Sequence, residues 1–185
     1  MRTLVAGFLT FGLACAAAAY AQTTESRAID AVASTARFSV THVWVEHVDG
    51  TVPIVSGTVE LPAGSALPIS VSAKLDPARI HTGDDDRDAA LRGPDWFDAK
   101  QFGVWTYAST KIVAAGPSRF GMDGTLTIHG VTQTVHLDVT VSGTPAKPVY
   151  HAAGTVDRKA FGMSTTRLDP VIGNPVAITL DIALQ

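Results

Sequence analysis

The sequence predicts an all-β protein: about eight antiparallel strands in a closed or nearly closed barrel, with one short helical insert between strands. Three observations carry this. Apolar and polar residues alternate with a period of two over most of the chain, as on a sheet with one buried face. Gly- and Pro-containing turns punctuate these runs at short intervals. Only the stretch from His81 to Gly103, with six aspartates, breaks the rhythm.

The first residues read as an address. Arg2 gives a minimal basic start, Leu4 to Leu13 is almost wholly apolar, and Ala19-Tyr20-Ala21 has the small-x-small form of a cleavage site. Residues 1–21 are therefore expected to be a signal peptide, with one domain over residues 22–185. The apolar run is short for a span and ends in alanines, so no transmembrane anchor is expected after cleavage. Cys15 is the only cysteine and leaves with the signal, so no disulfide, thiol nucleophile or cysteine metal site is expected. An exported, cysteine-free single domain fits the periplasm, and its size suffices for a stable core.

The alternating runs follow in order. Phe38, Val40, His42 and Trp44 share one face near the start. Ile69, Val71, Ala73 and Leu75 form the next, and Trp105 and Tyr107 share a face further on. Phe120, Met122, Leu126 and Ile128 alternate with Gly121, Asp123, Thr125 and Thr127. Val135 to Val141, Tyr150 to Val156 and Val176 to Ile182 complete the pattern. "AAGPSR" and "HGVT" join neighbouring strands, and Gly130 suits the positive φ of a tight turn.

The exception, "HTGDDDRDAALRGPDWFDAKQFG", reads as a helix from Asp84 to Arg92. Aspartates at its start cap free N–H groups and favour the dipole, Ala89 to Leu91 propagate it, and Gly93 ends it. Trp96, Phe97 and Phe102 are expected to turn inward.

Several chemistries are excluded. Adjacent aspartates at a helix start look like a solvated cap, whereas paired acid catalysis needs one carboxyl in an apolar site. Asp84, Asp86 and Asp88 have EF-hand spacing, but Ala89 stands where the loop needs glycine. The histidines lack metal-ligand spacing, there is no Gly-x-Ser-x-Gly elbow, and no serine has an evident base beside it. The formal net charge is −3, and no basic stripe suits nucleic acid. The chain is not expected to be an enzyme, and no cofactor is implied.

The motifs "FSVTHVWV", "TGDDDRDAALRGPDWFDAKQFG", "GTLTIHGVTQTVHLDV" and "DRKAFGM" occur in an order and spacing that resembles the YceI-like family. The resemblance spans nearly all of residues 29 to 184, with departures at Thr41, at "EHVDGTVPIVSGTVE" and at Gln133-Thr134. It implies a lipocalin-like antiparallel barrel whose elongated apolar channel holds a polyisoprenoid or similar long-chain amphiphile, in a protein that is typically exported.

On this reading the ligand-binding residues are Phe38, Val40, His42, Trp44, Arg92, Trp96, Phe97, Phe102, Trp105, Tyr107 and Phe161. His42 reads either as a hydrogen-bonded interior histidine or as a headgroup contact. Arg92 reads either as a partner of nearby aspartates or as a donor to a diphosphate or carboxylate headgroup. The expected partner is a long-chain isoprenoid, quinone or fatty-acyl amphiphile, and a homodimer is compatible with the chain. The rival reading is a non-enzymatic envelope interaction module with a packed barrel core, docking through "VWVEHVDGTVPIVSG".

Overall fold

The computed structural model describes residues 23–43, 46–163 and 169–185. The expected signal peptide and Trp44 lie outside the described residues. The strands are β1 (Thr24–Ala28), β2 (Thr35–His42), β3 (Glu46–Thr51), β4 (Ile54–Pro62), β5 (Ser70–Leu75), β6 (Trp105–Gly116), β7 (Arg119–Ile128), β8 (Val131–Thr144), β9 (Lys147–Asp157) and β10 (Ile172–Ala183). They form one antiparallel sheet of ten strands rather than about eight, in the order β1-β4-β5-β6-β7-β8-β9-β10-β2-β3. The added strands are at the start of the chain. β1 has no apolar face to reveal it, and the segment forming β3 and β4 is broken by Gly50, Pro53 and Gly57.

The sheet curls until its flanks meet through the segment that continues β1. The Ile29 N–H donates to Gly57 O on β4, while the Asp30 N–H donates to Ala183 O at the end of β10. The Gln185 N–H returns to Ala28 O at 2.9 Å. Beneath this seam Ile29, Ile54, Val59 and Leu61 pack as a buried cluster. Gly57 is required there, because a Cβ at that position would lie 2.4 Å from Ile29 Cδ1.

The inward faces follow the alternation. Phe120 and Met122 on β7, and Val135, Leu137 and Val139 on β8, are buried, while the intervening residues face outward. β5 differs at its start. Its ladder begins at Ser70, which leaves Ile69 in the preceding loop at 58% exposure. β7 and β8 meet at His129-Gly130, both with positive φ, 52° and 74°. This two-residue turn matches the right-handed strand twist.

The insert begins with a 3-10 turn, Pro77–Arg79, and continues as helix α1, Asp85–Arg92. Asp84 caps α1, accepting a hydrogen bond from the Arg87 N–H at 2.9 Å. Asp88 ties the helix to the preceding chain. Its carboxylate accepts from the Thr82 N–H and hydroxyl at 2.8 and 2.6 Å, and lies 3.2 Å from His81 Nδ1. Burial alone would raise its pKa, but these bonds outweigh it and hold the carboxyl below its usual value.

Candidate functional site

The curled sheet encloses a cavity of about 220 Å³. An apolar void of roughly 150 Å³ already stays dry and admits a benzene-sized guest, so this interior has room for hydrocarbon. The lining draws on most of the sheet. It runs from Leu91, Phe97 and Met163 beside the helical insert to Pro68, Tyr150 and Ile182 near the opposite strand ends. Nearly all of it is aliphatic or aromatic.

The structure brings six of the sequence-predicted residues to this wall. Phe38 and Val40 come from β2, Trp105 and Tyr107 from β6, and Trp96 and Phe97 from the chain after α1. Phe97 and Trp105 meet edge to face with ring centroids 4.7 Å apart. This contact fixes the insert against the barrel.

The other predicted residues stand elsewhere. His42 lies at the end of the β2–β3 pair, with Nδ1 3.8 Å from Glu46 Oε2, and is not part of the lining. Arg92 reaches back to the Ala78 carbonyl at 3.5 Å, bracing α1 on the 3-10 turn. Phe102 does not turn inward: Asp98 takes a positive φ of 39° and redirects the chain. The Phe102 ring then packs edge to face on His129 at 4.8 Å, over the β7–β8 turn. Phe161 is 1% exposed and packs within the main core cluster, outside the cavity wall.

Among the lining residues absent from the predicted site, Arg158 is the buried charged one. It is 3% exposed, and its guanidinium donates to the carbonyls of Met163, Ile172 and Gly173. It thereby holds the chain on either side of residues 164–168 to the end of β9. The motif "DRKAFGM" contains it, but nothing in its spacing separates a buried arginine from a surface one.

Three buried polar atoms of lining residues have no hydrogen-bond partner among the described residues, and they are covered from the cavity as well: Trp105 Nε1, Tyr107 Oη and Tyr150 Oη. Burial is the main cause that pushes both phenols up to about 12, so they remain protonated donors. A buried donor left unmatched costs about 1–3 kcal/mol.

The outer face carries one arrangement the sequence did not reveal. Ser142 Oγ lies 3.1 Å from His151 Nε2, and His151 Nδ1 lies 2.6 Å from Asp181 Oδ1. A base therefore does stand beside a serine, assembled across β8, β9 and β10. Arg37 Nη1 contacts the other Asp181 oxygen at 2.5 Å, and this is the first cause of that carboxyl's lowered pKa. Backbone groups around Ser142 are engaged in the β8–β9 ladder, and the Val141 N–H donates to Ser118 O. An acyl oxygen would find no cradle there, and that cradle is usually the largest contribution to acyl transfer. The row is a strand-spanning polar network.

Comparison with known proteins agrees with this architecture. The YceI-like domain matches residues 28–184. A UPF0312 protein of Vibrio campbellii is 24% identical over 149 residues, covering 80% of this chain and 78% of that protein. A UPF0312 protein of Vibrio parahaemolyticus is 25% identical over 154 residues, with the same coverage of each, 80% and 78%. Among solved structures, Burkholderia cenocepacia BcnA superposes with a TM-score of 0.77 at 25% identity, covering 85% of this chain and 99% of that one. A polyisoprenoid-binding domain from Saccharophagus degradans superposes with a TM-score of 0.69 at 17% identity, covering 86% and 97%. With β2 to β10, the insert and the hollow all inside the matched span, the chain belongs to the YceI-like family.

Proposed function

We propose that this protein is a non-enzymatic carrier or storage protein that shields a long-chain isoprenoid, a quinone or a fatty-acyl amphiphile. It would act in the periplasm after loss of residues 1–21. The cavity carries this reading: a wall built almost wholly from apolar side chains around about 220 Å³ of free space. The family adds support, and the Saccharophagus degradans relative is itself a polyisoprenoid-binding domain.

Each buried methylene contributes about 0.8 kcal/mol, so roughly ten carbons supply about 8 kcal/mol before the costs of association. In this reading Phe38, Val40, Trp96, Phe97, Trp105 and Tyr107 contact the hydrocarbon, and the insert shapes one end of the channel. The alternative, an interaction module with a solid core, is disfavoured by the same free space.

Native mass spectrometry of the purified protein, alone and after incubation with a lipid panel, tests the proposal. The expected result is a co-purified or acquired lipid at one-to-one stoichiometry. Protein that is folded, ligand-free and indifferent to every lipid would overturn it. Trp96→Ala, at a half-buried lining position, is expected to weaken uptake several-fold while leaving the circular dichroism spectrum unchanged.

A further inference from the structure

Antiparallel neighbours place successive connections at alternate ends of the barrel. The end away from the insert is built by residues 30–34 before β2, 63–69 between β4 and β5, 117–118 between β6 and β7, and 145–146 between β8 and β9. Asp30 is the only charged residue in these four connections. Its carboxylate is used within its own turn, accepting from the Val32 and Ala33 N–H groups at 2.9 and 3.0 Å. Alanine, proline and glycine fill most of the rest.

Large aliphatic side chains stand in water on this rim. Val32 is 98% exposed and Ile69 58%, and Leu67 is exposed two residues before Ile69. Val113, 50% exposed, lies on the adjoining end of β6 opposite a bare Gly121. A lone exposed valine needs no explanation, but several aliphatics gathered on a rim without free charge mark an interaction surface.

The cations bordering the rim are uncommitted. Lys111 on β6, Arg119 at the start of β7 and Lys147 at the start of β9 are exposed, and none forms an ion pair among the described residues. The acids of the same strands are occupied or lie to one side. Asp181 is held by Arg37 and His151, Asp123 and Asp138 face His136, and Glu25 and Glu60 belong to the β1–β4 flank. The rim is thus apolar with a basic border from β6 to β9. The opposite end also exposes Val43, Val55 and Val104, but it carries the aspartate-rich insert, which an anionic surface repels.

We propose, as an extension of the carrier reading, that the end away from the insert docks on an anionic lipid bilayer. Val32, Leu67, Ile69 and Val113 enter the headgroup layer, and Lys111, Arg119 and Lys147 meet lipid phosphates. Pro68 of the same rim and Ile182 near the end of β10 line the cavity, so docking presents that end of the hollow to the layer that supplies a lipid cargo.

Co-sedimentation of the purified protein with vesicles tests this, using phosphatidylethanolamine mixed with phosphatidylglycerol against phosphatidylcholine alone. Wild type is expected to bind the anionic vesicles more tightly, and salt to weaken that binding. Lys111→Gln, Arg119→Gln and Lys147→Gln are each expected to lower the affinity about fivefold. Ile69→Ser is expected to lower it about tenfold. Lys100→Gln makes the same charge change in the insert and is expected to leave binding as it was. Circular dichroism checks that each variant is folded.

Wild type that ignores anionic vesicles, or that binds both vesicle types equally, would overturn the docking inference. So would folded rim variants that bind like wild type. Each of these results leaves the carrier reading standing if native mass spectrometry still finds a lipid in the protein. Docking that needs the rim, by a protein that acquires no lipid from vesicles or panel, would overturn the carrier reading and leave the docking surface in place.

Discussion

The Asp88 side chain is almost completely buried, although it belongs to a run of aspartates that otherwise faces water. Its two oxygens hold Thr82 and His81, so the α1 start is pinned at this residue. Asp88→Asn replaces one acceptor oxygen with a donor and is expected to cost about 1.5–3 kcal/mol in urea unfolding, the range for bonds to a charged group. The pH dependence has a definite sign. The folded pKa lies below the reference value of 3.8, so the Asp88 contribution is complete above that pH and is lost as pH falls through the folded value. The stability gap between wild type and Asp88→Asn should therefore be flat near neutrality and close in acid. His136 runs the other way. Asp123 Oδ1 lies 2.6 Å from its Nδ1, and this hydrogen bond is the main cause raising its pKa above 6.5. The associated stabilisation is complete below that value and disappears as pH rises through the folded pKa. An NMR titration should place the His136 midpoint above 6.5, and Asp123→Asn should lower it. The sequence showed a helix cap here, and Asp84 is that cap. It did not show which aspartate turns inward, because that depends on where the His81–Thr82 segment is held by β3.

At the level of elements, β7 shows how strand and site are coupled. Its inward face carries Phe120 and Met122, then the gap of Gly124, then Leu126 and Ile128. The Tyr107 ring of β6 occupies that gap. Gly124→Ala is expected to displace the ring and cost about 1–3 kcal/mol as an overpacked substitution, measured by chemical denaturation. Lipid uptake should fall with it. The alternation of β7, β8 and β10 was readable because each turns one apolar, buried or half-buried face inward over many residues. β1 was not, because four of its five residues are exposed and it is held by backbone bonds to β4. β3 and β4 were hidden by glycines and a proline that look like loop in one dimension. In space Gly57 makes room for Ile29, and a Cβ at Gly50 would fall within 2.3 Å of the Phe38 ring.

Across the whole molecule, the curled sheet and the hollow depend on one seam. Ile29 is 4% exposed and sits where β1, β4 and β10 meet. Ile29→Ala is expected to destabilise the fold by about 2–5 kcal/mol, with a raised rate of ligand loss in a dilution assay. Whether an apolar face packs solid or leaves space is decided by side chains from many strands at once. That is why periodicity alone could place Trp105 and Tyr107 on one face yet could not separate Phe161, a core residue, from Arg158, a wall residue.

The strand order has a consequence for how such a vessel comes into being. β10 separates β9 from β2, and the Gln185 amide just after it closes onto Ala28. A growing chain therefore has an open, greasy ribbon until its final stave is slotted in, and only then a container. Pairings between distant parts of a chain form slowly. The hollow exists only once β10 is in place, so the strands that precede it cannot enclose a cargo by themselves.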